Sequence, residues 1–487
     1  MDKNLTALKP ALVWKHFAEI CNIPHPSHSE DKIRQYLVDF AVAHGIEHSV
    51  DEAGNVYMSK PATPGMEACK GVVLQAHMDM VPQKNNDKVF DFINDPIEAY
   101  IDGEWVTANG TTLGADNGIG VAAILAVLED DTIEHGPIEG LITATEETGM
   151  DGAFGLKGGL LKGEILLNLD SETEGELYVG CAGGTDVNAS LAYTAEAAPA
   201  EGYMAVAIAV KGCKGGHSGI QIVCQRANAN KLLFRLLRKL VAQMELKIAS
   251  VDGGGLRNAI PRESVAVVMV KASDVEALNA EVAAFEQVAI AEYAAVEDAI
   301  SIKAALVAAP ASVMPCAVAK SLMAAMVACP DGVDKMSLAM EGLVQTSNNM
   351  ARVVSDGETI KVQTLVRSSV RSEKEALADA IKAVLEMAGF EVKLSGSYDG
   401  WNPNMQSPIL NAMLESYEAL YGKRPAVTAI HAGLECGIIG SNYPGLDMIS
   451  FGPTICYPHS PDEKVEIASV EKFFDFLLHT LRNAPKK

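Results

Sequence analysis

The spacing of hydrophobic and polar residues along the chain is typical of an α/β protein. Apolar positions at helical spacing predict helices at residues 29–44 and 121–128, and short apolar runs predict strands at 72–76, 138–145 and 165–169. An order in which strands alternate with helices favours a largely parallel sheet covered by helices. The carboxyl ends of such strands meet at one edge of the sheet, where ligands bind.

The pattern changes after about residue 186. Alternating strands, as at 204–211 and 264–270, are followed by helices, as at 275–295, which predicts an inserted α+β domain. The last 90 or so residues return to the first pattern. We therefore expect a catalytic domain in two parts, residues 1–186 and 399–487, interrupted by an inserted domain at 187–398.

Composition and charge exclude several classes of function. The chain has 39 basic and 63 acidic residues and a formal net charge of −24, so it repels nucleic acid and anionic membranes, and neither is expected as a partner. No apolar run reaches the roughly 18 residues that span a bilayer. The nine cysteines are scattered with no CxxC pair, which favours reduced thiols in a cytoplasmic protein over disulfides or a thiolate zinc site.

Acidic and imidazole side chains follow the predicted strands or lie in loops beside them. These side chains are His77, Asp116, Glu146, Glu147, Asp170 and His459. A single carboxylate after a strand is ordinarily a helix cap or a solvated loop residue. Several at one sheet edge instead favour a cation site.

Two imidazoles with three carboxylates suit two zinc-like ions that share one carboxylate. Asp116, in a glycine-rich loop, is the natural bridge; His77 and Asp170 complete one ligand set, and Glu147 and His459 complete the other. Two such ions can hold a hydroxide between them and polarise a carbonyl. The same ligands also accept Mn or Co, so the sequence leaves the native metal open.

Two further carboxylates have predicted roles beside the ligands. Side chains of adjacent residues at a strand end diverge, so Glu146 can act as general base while Glu147 binds metal. Asp79 lies two residues after His77 and can orient its ring. The alternative for Glu146 and Glu147 is an acidic pair at the start of a helix, where the helix dipole favours negative charge.

Four segments resemble the motifs of the co-catalytic zinc peptidases, the family that includes glutamate carboxypeptidase, aminoacylase and carnosinase. These segments are residues 77–79, 113–118, 145–147 and 458–460. Residues 431–437 and 452–463 are similar to the dipeptidase branch of that family in particular. The resemblance covers essentially the whole chain.

The resemblance implies a zinc-peptidase catalytic domain, with a mixed sheet flanked by helices, interrupted by an α+β lid domain. It implies the ligand roles given above, with Glu146 as base and Asp79 as its auxiliary acid, and a cis peptide bond between Asp116 and Asn117. It further implies that the lid residue His217 binds the oxyanion of the scissile carbonyl, and that relatives are commonly homodimers.

Three more residues acquire substrate-binding roles through the same resemblance. Asn258 and Arg367 match lid groups that hold the C-terminal end of the substrate, and an arginine suits a carboxylate because it binds it bidentately. Arg371 competes with Arg367 for that role. Glu435 either holds the substrate amine or lies behind the metal ligands, and the sequence does not choose.

The expected function is therefore metal-dependent hydrolysis of short unblocked peptides, chiefly dipeptides including Xaa-His. An amidohydrolase acting on N-acyl amino acids and a tripeptidase are alternatives on the same scaffold. A third alternative is a non-catalytic relative that only binds ligands, but such a protein would not need Glu146 as a general base. A purely structural protein would pay a high electrostatic cost for gathering so many carboxylates without a cation.

Overall fold

The computed structural model describes residues 4–487, which form eleven α-helices, 25 strands and three short 3-10 helices. The α-helices in chain order are α1 (Ala11–Cys21), α2 (Asp31–Ala43), α3 (Ala115–Glu129), α4 (Asp151–Gly155), α5 (Ala229–Val241), α6 (Val275–Tyr293), α7 (Cys316–Ala328), α8 (Arg371–Met387), α9 (Pro408–Tyr421), α10 (Glu435–Asn442) and α11 (Ile467–Arg482). The 3-10 helices are Leu5–Ala7, Ile222–Cys224 and Ala272–Asp274. No helix within residues 4–487 combines the length and the apolar character needed to cross a membrane.

The strands vary from two to twelve residues. In chain order they are β1 (Glu47–Val50), β2 (Val56–Lys60), β3 (Val72–His77), β4 (Ala99–Asp102), β5 (Trp105–Ala108), β6 (Ile138–Thr143), β7 (Ile165–Asn168), β8 (Glu176–Cys181), β9 (Gly183–Ala192), β10 (Glu196–Ala197), β11 (Tyr203–Lys211), β12 (Gly216–His217), β13 (Leu246–Gly254), β14 (Ala259–Ile260), β15 (Ser264–Lys271), β16 (Ser301–Leu306), β17 (Ser312–Val313), β18 (Gly332–Met336), β19 (Val344–Ser355), β20 (Thr359–Ser368), β21 (Glu391–Tyr398), β22 (Ala426–Ile430), β23 (Asp447–Ser450), β24 (Ile455–Cys456) and β25 (Lys464–Glu466).

The chain divides into two compact units. Unit 1 comprises the residues up to Cys181, Trp401–Ala429 and Leu434–Lys487, and unit 2 comprises Ala182–Gly400 and Ile430–Gly433. The sequence predicted breaks after residues 186 and 398, whereas the contacts give them after Cys181 and Gly400. The segment Ile430–Gly433 was predicted to belong to the catalytic domain but belongs to unit 2, because its residues pack against that unit.

Unit 1 contains an eight-stranded mixed sheet in the order β1-β2-β6-β3-β7-β23-β8-β22. The central pairs β3–β6, β3–β7 and β7–β23 are parallel, while the pairs β1–β2, β2–β6 and β8–β23 are antiparallel. Every residue of β3 is buried, as expected for a strand covered on both faces. Helix α3 is buried from Ala115 to Leu128, which agrees with its almost uninterrupted run of apolar and small residues.

The beginning of the chain differs from the helix that apolar spacing predicts over residues 5–20. A short 3-10 helix, Leu5–Ala7, precedes α1, which begins at Ala11 after Pro10. Proline lacks a backbone N–H and restricts the residue before it to extended conformations, so the helix cannot run through this point.

Unit 2 contains a nine-stranded antiparallel sheet with helices packed on it. Its order is β16-β11-β15-β13-β19-β20-β9-β21, and β18 pairs with β19. Helix α5 is a clear example of an amphipathic helix that covers a sheet, and its leucines form part of the buried core. These leucines are Leu232, Leu233, Leu236, Leu237 and Leu240. The predicted fold class, a mixed α/β domain with an inserted α+β domain, is confirmed by this architecture.

Candidate active site

The carboxyl ends of three neighbouring parallel strands bring the predicted ligands of unit 1 together. His77 is the last residue of β3 and is paired with Thr143, the last residue of β6. Glu146 and Glu147 follow β6, and Asp170 follows β7 by two residues. Side chains separated by up to about 90 residues of sequence therefore meet at one edge of the sheet, as the parallel topology requires.

The first cluster consists of His77, Asp116 and Asp170. Nε2 of His77 lies 3.2 Å from Oδ1 of Asp116 and 3.3 Å from Oδ1 of Asp170. Burial alone would lower the pKa of His77, but the adjacent carboxylates, Asp170 foremost, raise it well above its ordinary value. Burial raises the pKa of Asp170 to about 6. One cationic group is therefore favoured between the two acids.

The second cluster consists of Asp116, Glu147 and His459. Nε2 of His459 lies 3.1 Å from Oδ2 of Asp116 and 2.9 Å from Oε2 of Glu147. Hydrogen bonds to these two carboxylates raise the pKa of His459 to about 11. Asp116 thus contacts one histidine with each of its carboxylate oxygens. The peptide bond that follows it, Asp116–Asn117, is cis, as the resemblance implies.

The donor set fits a pair of divalent cations. In each cluster, three side chains offer one ligand atom apiece within 4.8 Å of one another. Oε1 of Glu147 is buried and has no hydrogen-bond partner among the described residues, and Oδ1 of Asp170 is buried with only the ion-pair contact to His77 at 3.3 Å. Buried carboxylate oxygens are normally satisfied, so an additional positive group is expected here. Imidazole nitrogens mixed with carboxylate oxygens are ligands that zinc accepts.

Glu146 and Asp79 lie next to the two clusters. The backbone N–H groups of Glu146 and Glu147 donate to Oδ1 and Oδ2 of Asp79 at 2.9 and 3.3 Å, and the hydroxyl of Ser27 donates to Oδ2 at 2.8 Å. Oδ1 of Asp79 is also 3.4 Å from Nδ1 of His77. Burial raises the pKa of Asp79, but the contact with His77 outweighs it and lowers the value to about 2. Asp79 therefore fixes the backbone that carries both glutamates.

The carboxyl group of Glu146 differs in character from that of Asp79. Burial raises its pKa well above the ordinary value, and the nearby acids Asp170, Glu435 and Glu147 raise it further, against a lowering by His77. A carboxylate with a raised pKa accepts a proton more readily than an ordinary carboxylate. This is the behaviour that general acid–base catalysis requires.

Glu463 is a site residue that the sequence analysis missed. Its carboxylate accepts backbone N–H groups from the loop that carries Asp116: those of Leu113 at 2.8 Å, Gly114 at 3.1 Å, Ala115 at 2.8 Å and Asp116 at 3.3 Å. It lies four residues after His459, within the segment that carries the family resemblance. Its location next to a predicted ligand was the only signal of its role, because hydrogen bonds to a distant loop leave no trace in sequence spacing.

Glu435 lies beneath the clusters, in a buried polar network. Its Oε2 accepts from Nε2 of Gln75 at 2.6 Å and from the hydroxyl of Thr143 at 2.8 Å, and the side chain is 1% exposed. Nδ2 of Asn168 donates to Oε1 of Gln75 at 2.5 Å. Burial raises the pKa of Glu435 to about 8. The network joins β3, β6 and β7 just before the residues that carry the predicted ligands.

In unit 2, His217 and Asn258 line one groove of about 500 Å³. Arg367 is buried on β20, opposite Ser347 of β19 and Gly184 of β9. Its Nη1 donates to the hydroxyl of Tyr398 at 3.3 Å, its Nε has no partner, and it forms no ion pair within residues 4–487. Burial raises the pKa of Asp186 against the charges of Arg257 and Arg367, and its carboxylate is paired with Arg257.

Arg371 has a different environment from Arg367. Its side chain is 70% exposed and is paired with Glu375 at 2.9 Å and with Asp399 at 3.3 Å. Arg367 is therefore buried and has no paired acid, whereas Arg371 is exposed and has two.

His431, to which the sequence analysis gave no role, is joined to the same part of unit 2. Its Nε2 lies 2.7 Å from the hydroxyl of Ser347, the residue opposite Arg367. Burial, followed by the charge of Arg367, lowers the pKa of His431 to about 3, so its ring is neutral at physiological pH. Its segment, Ile430–Gly433, is far in sequence from the rest of unit 2, which is why no local pattern predicted this contact.

Candidate ligands for two cations at the edge of a mixed sheet, together with an inserted antiparallel unit, are typical of co-catalytic metallopeptidases. The profile of the family described as Peptidase family M20/M25/M40 matches residues 73–483. The chain belongs to that family, and the predicted resemblance is confirmed.

Two relatives match along essentially their whole length. The cytosol non-specific dipeptidase of Escherichia coli (strain K12) is 45% identical over 483 residues, 99% of each chain. The crystal structure of aminoacylhistidine dipeptidase from Vibrio alginolyticus has 47% identity and a TM-score of 0.95, with 99% of each chain covered. A tripeptidase of Staphylococcus aureus, with 17% identity, a TM-score of 0.56 and 98% of each chain covered, shares the fold alone. The chain is thus an enzyme of the dipeptidase branch, as predicted.

Proposed function

We propose that the protein hydrolyses short unblocked peptides, chiefly dipeptides and Xaa-His among them, with two divalent cations. The observation that carries the proposal is the position of Asp116, whose two oxygens lie 3.2 Å from His77 and 3.1 Å from His459. A carboxylate that belongs to both three-residue clusters is suited to be the common ligand of two cations. The names of the two full-length relatives support a dipeptide as substrate.

In this proposal His77 and Asp170 hold one cation, Glu147 and His459 hold the other, and Asp116 holds both. Zinc is the proposed metal, and Mn or Co suits the same ligands. When bound, the cations polarise the substrate carbonyl and lower the pKa of water. Glu435 has a positioning role, because a carboxylate that is 1% exposed and bonded to Gln75 and Thr143 is held within the network beneath the ligands.

Glu146 is the proposed general base. It accepts a proton on its carboxylate as the oxygen of water bonds to the carbonyl carbon, and it then gives that proton to the nitrogen of the leaving amine as the C–N bond breaks. Burial raises the pKa of Glu146, which favours uptake of the proton. Asp79 supports the reaction by holding the backbone N–H of Glu146 and the ring of His77, which fixes where the proton is accepted.

Residues of unit 2 are proposed to recognise the substrate. Arg367 offers a buried guanidinium that can bind the C-terminal carboxylate bidentately, and Asn258 offers an amide for the same end. His217 is proposed as a hydrogen-bond donor to the oxyanion of the tetrahedral intermediate. From the family resemblance, we further propose that the protein is a homodimer. The free cysteines and the name of the E. coli relative support a location in the cytoplasm.

A substrate panel tests the proposal against its alternatives. Rates are measured for Ala-His, Gly-His, a tripeptide and an N-acetyl amino acid, each with and without a chelator. We expect chelator-sensitive hydrolysis that is fastest for the two dipeptides. A preference for the tripeptide or the N-acetyl amino acid would replace the proposed substrate class, and hydrolysis of the dipeptides that survives complete metal removal would contradict the proposal.

A further inference from the structure

The ring of His217 is held by two backbone hydrogen bonds to one of its nitrogens. The N–H groups of Gly219 and Ile220 both point to Nδ1, each at 3.1 Å. A backbone N–H can only donate, so Nδ1 must present a lone pair. In a neutral imidazole one nitrogen accepts and the other carries the hydrogen. The hydrogen of His217 is therefore on Nε2.

The turn that supplies these N–H groups is itself anchored. Strand β12 pairs with β14, which places His217 opposite Ala259, and the N–H of Ser218 donates to the carbonyl of Asn258 at 2.8 Å. The N–H of His217 donates to Oε1 of Gln221 at 2.8 Å, which closes the turn from the other end. The two amides are thereby held in place independently of any ligand.

Gly219 is required at its position by close packing on two sides. A Cβ atom there would meet the carbonyl oxygen of His431 and would lie 3.0 Å from Cε1 and 3.2 Å from Nδ1 of His217. The segment Ile430–Gly433 thus braces the turn from behind. A methyl group at residue 219 would push the amide and the ring apart.

We propose that Gly219 and Ile220 are positioning residues that lock His217 in its neutral form with the hydrogen on Nε2, so that His217 serves only as a hydrogen-bond donor. Protonation would place a hydrogen on Nδ1, directly against two other donors, and both hydrogen bonds would be lost. The charged groups near the ring do not stabilise a cation: Arg367 is positive, and His431 is neutral. Arg226, which donates to the carbonyl of Gly215, adds a positive charge on the same turn. Arg262 and Glu263, which line the groove with His217, carry opposite charges. In agreement with this, burial and then the charge of Arg367 lower the pKa of His217.

The consequence for catalysis rests on the proposed function, whereas the locked state does not. An oxyanion needs a donor that is already oriented and does not lose its hydrogen, and a neutral Nε2–H provides one. A histidine locked in this way can act neither as a base through Nδ1 nor as a titrating acid over the neutral pH range.

Nitrogen NMR on the full-length, zinc-loaded protein labelled with ¹⁵N-histidine tests the lock directly. The signals of His217 are identified as those missing from His217→Gln. We expect a protonated Nε2 and an unprotonated, hydrogen-bonded Nδ1 from pH 8 down to pH 6. A hydrogen on Nδ1, or an imidazolium within this range, would overturn the proposal whatever the activity of the enzyme.

Two glycines of unit 2 provide a matched pair of variants: Gly219, beside the ring of His217, and Gly255, in the groove that His217 lines. Gly219→Ala is expected to lower kcat for Ala-His by at least about tenfold, with a smaller change in KM, and to shift the nitrogen signals of His217, because loss of one oriented donor typically costs a hundredfold or more. Gly255→Ala is the control, since a Cβ atom at Gly255 meets nothing within 4 Å. Equal effects of both variants, or unchanged His217 signals in a folded Gly219→Ala protein, would contradict the positioning role.

The pH dependence of His217→Gln provides a second activity measurement that does not depend on the glycine variants. A glutamine amide also donates without titrating, so the ratio of kcat between wild type and His217→Gln is expected to stay constant between pH 6 and pH 8.5. A ratio that changes about tenfold per pH unit over part of this range would show that His217 titrates, and would overturn the lock. Dipeptide hydrolysis that is absent in the wild type would instead remove the proposed function while leaving the NMR result intact.

Discussion

Glu146 and Glu147 are adjacent residues with opposite proposed tasks, one to carry a proton and the other to hold a cation. In Glu146→Gln the amide cannot accept a proton, so kcat for dipeptides is expected to fall by about 10²–10⁴-fold while two metal ions stay bound. In Glu147→Gln we expect loss of metal, because a ligand oxygen next to His459 is removed. Metal analysis and steady-state kinetics on both variants distinguish the roles; full turnover in Glu146→Gln would exclude it as the base.

Arg367 and Arg371 allow a matched test of substrate recognition. Arg367→Met is expected to raise KM for dipeptides by roughly 30-fold or more, since a buried charge-assisted contact is worth about 2 kcal/mol or more. The melting temperature should change little, because a buried guanidinium without a paired acid does not stabilise the folded protein. Arg371→Met, which alters an exposed pair, should leave KM nearly unchanged. Equal KM effects in the two variants would remove Arg367 from the carboxylate site.

Metal binding is expected to release protons. Without metal, the two carboxylates around His459 raise its pKa to about 11, so the ring is protonated at pH 7 and must lose its hydrogen before its nitrogen can bind a cation. Apparent affinity should therefore rise with pH, by about tenfold per unit for each proton released. Calorimetry of zinc binding in buffers of different ionisation enthalpy measures the number released. An affinity that is flat between pH 6 and pH 8 would contradict the proposed ligand role.

At the scale of elements, the start of α3 depends on an acid from the far end of the chain. Glu463→Gln should weaken the four hydrogen bonds that shape residues 113–116, because each carboxyl oxygen of Glu463 accepts two N–H groups and an amide has only one acceptor oxygen. We expect a lower melting temperature and at least about tenfold weaker metal binding. The neighbouring, exposed Asp462 provides the control variant Asp462→Asn, for which neither change is expected. Unaltered metal affinity in Glu463→Gln would contradict this role.

The elements that sequence patterns predicted well are those whose burial is simple. Helix α5 has one apolar face and β3 is a continuous apolar run, so local patterns identify both. Strand β19 was missed because its centre is polar yet buried: Asn349 donates to the carbonyls of Arg257 and Ala259, and Asn348 to that of Pro330. Side-chain bonds to distant backbone replace the apolar surface that a strand pattern needs, and only the folded chain supplies those partners.

The site residues also fall into two groups, those that local patterns indicate and those that depend on contacts distant in sequence. The clustering of the proposed ligands could be predicted because each follows a recognisable strand or lies in a distinctive loop, and parallel pairing brings strand ends to one edge. Glu463 and His431 could not, since their importance comes from contacts with residues that lie far away in the sequence. Family resemblance supplied the proposed roles of His217 and Arg367, and spacing alone would have left Arg367 as a surface residue.

For the whole molecule, we predict that dipeptide hydrolysis requires two cations held by unit 1. The most direct measurement is hydrolysis of Ala-His by chelator-treated protein as zinc is added back, with bound zinc determined at every step. We predict that activity reaches its maximum at two zinc ions per chain. In Asp116→Asn, which weakens the shared ligand, the same additions of zinc should not restore this activity. Maximal activity at one ion per chain, or two bound ions without dipeptide hydrolysis, would contradict a dipeptidase that works with two cations.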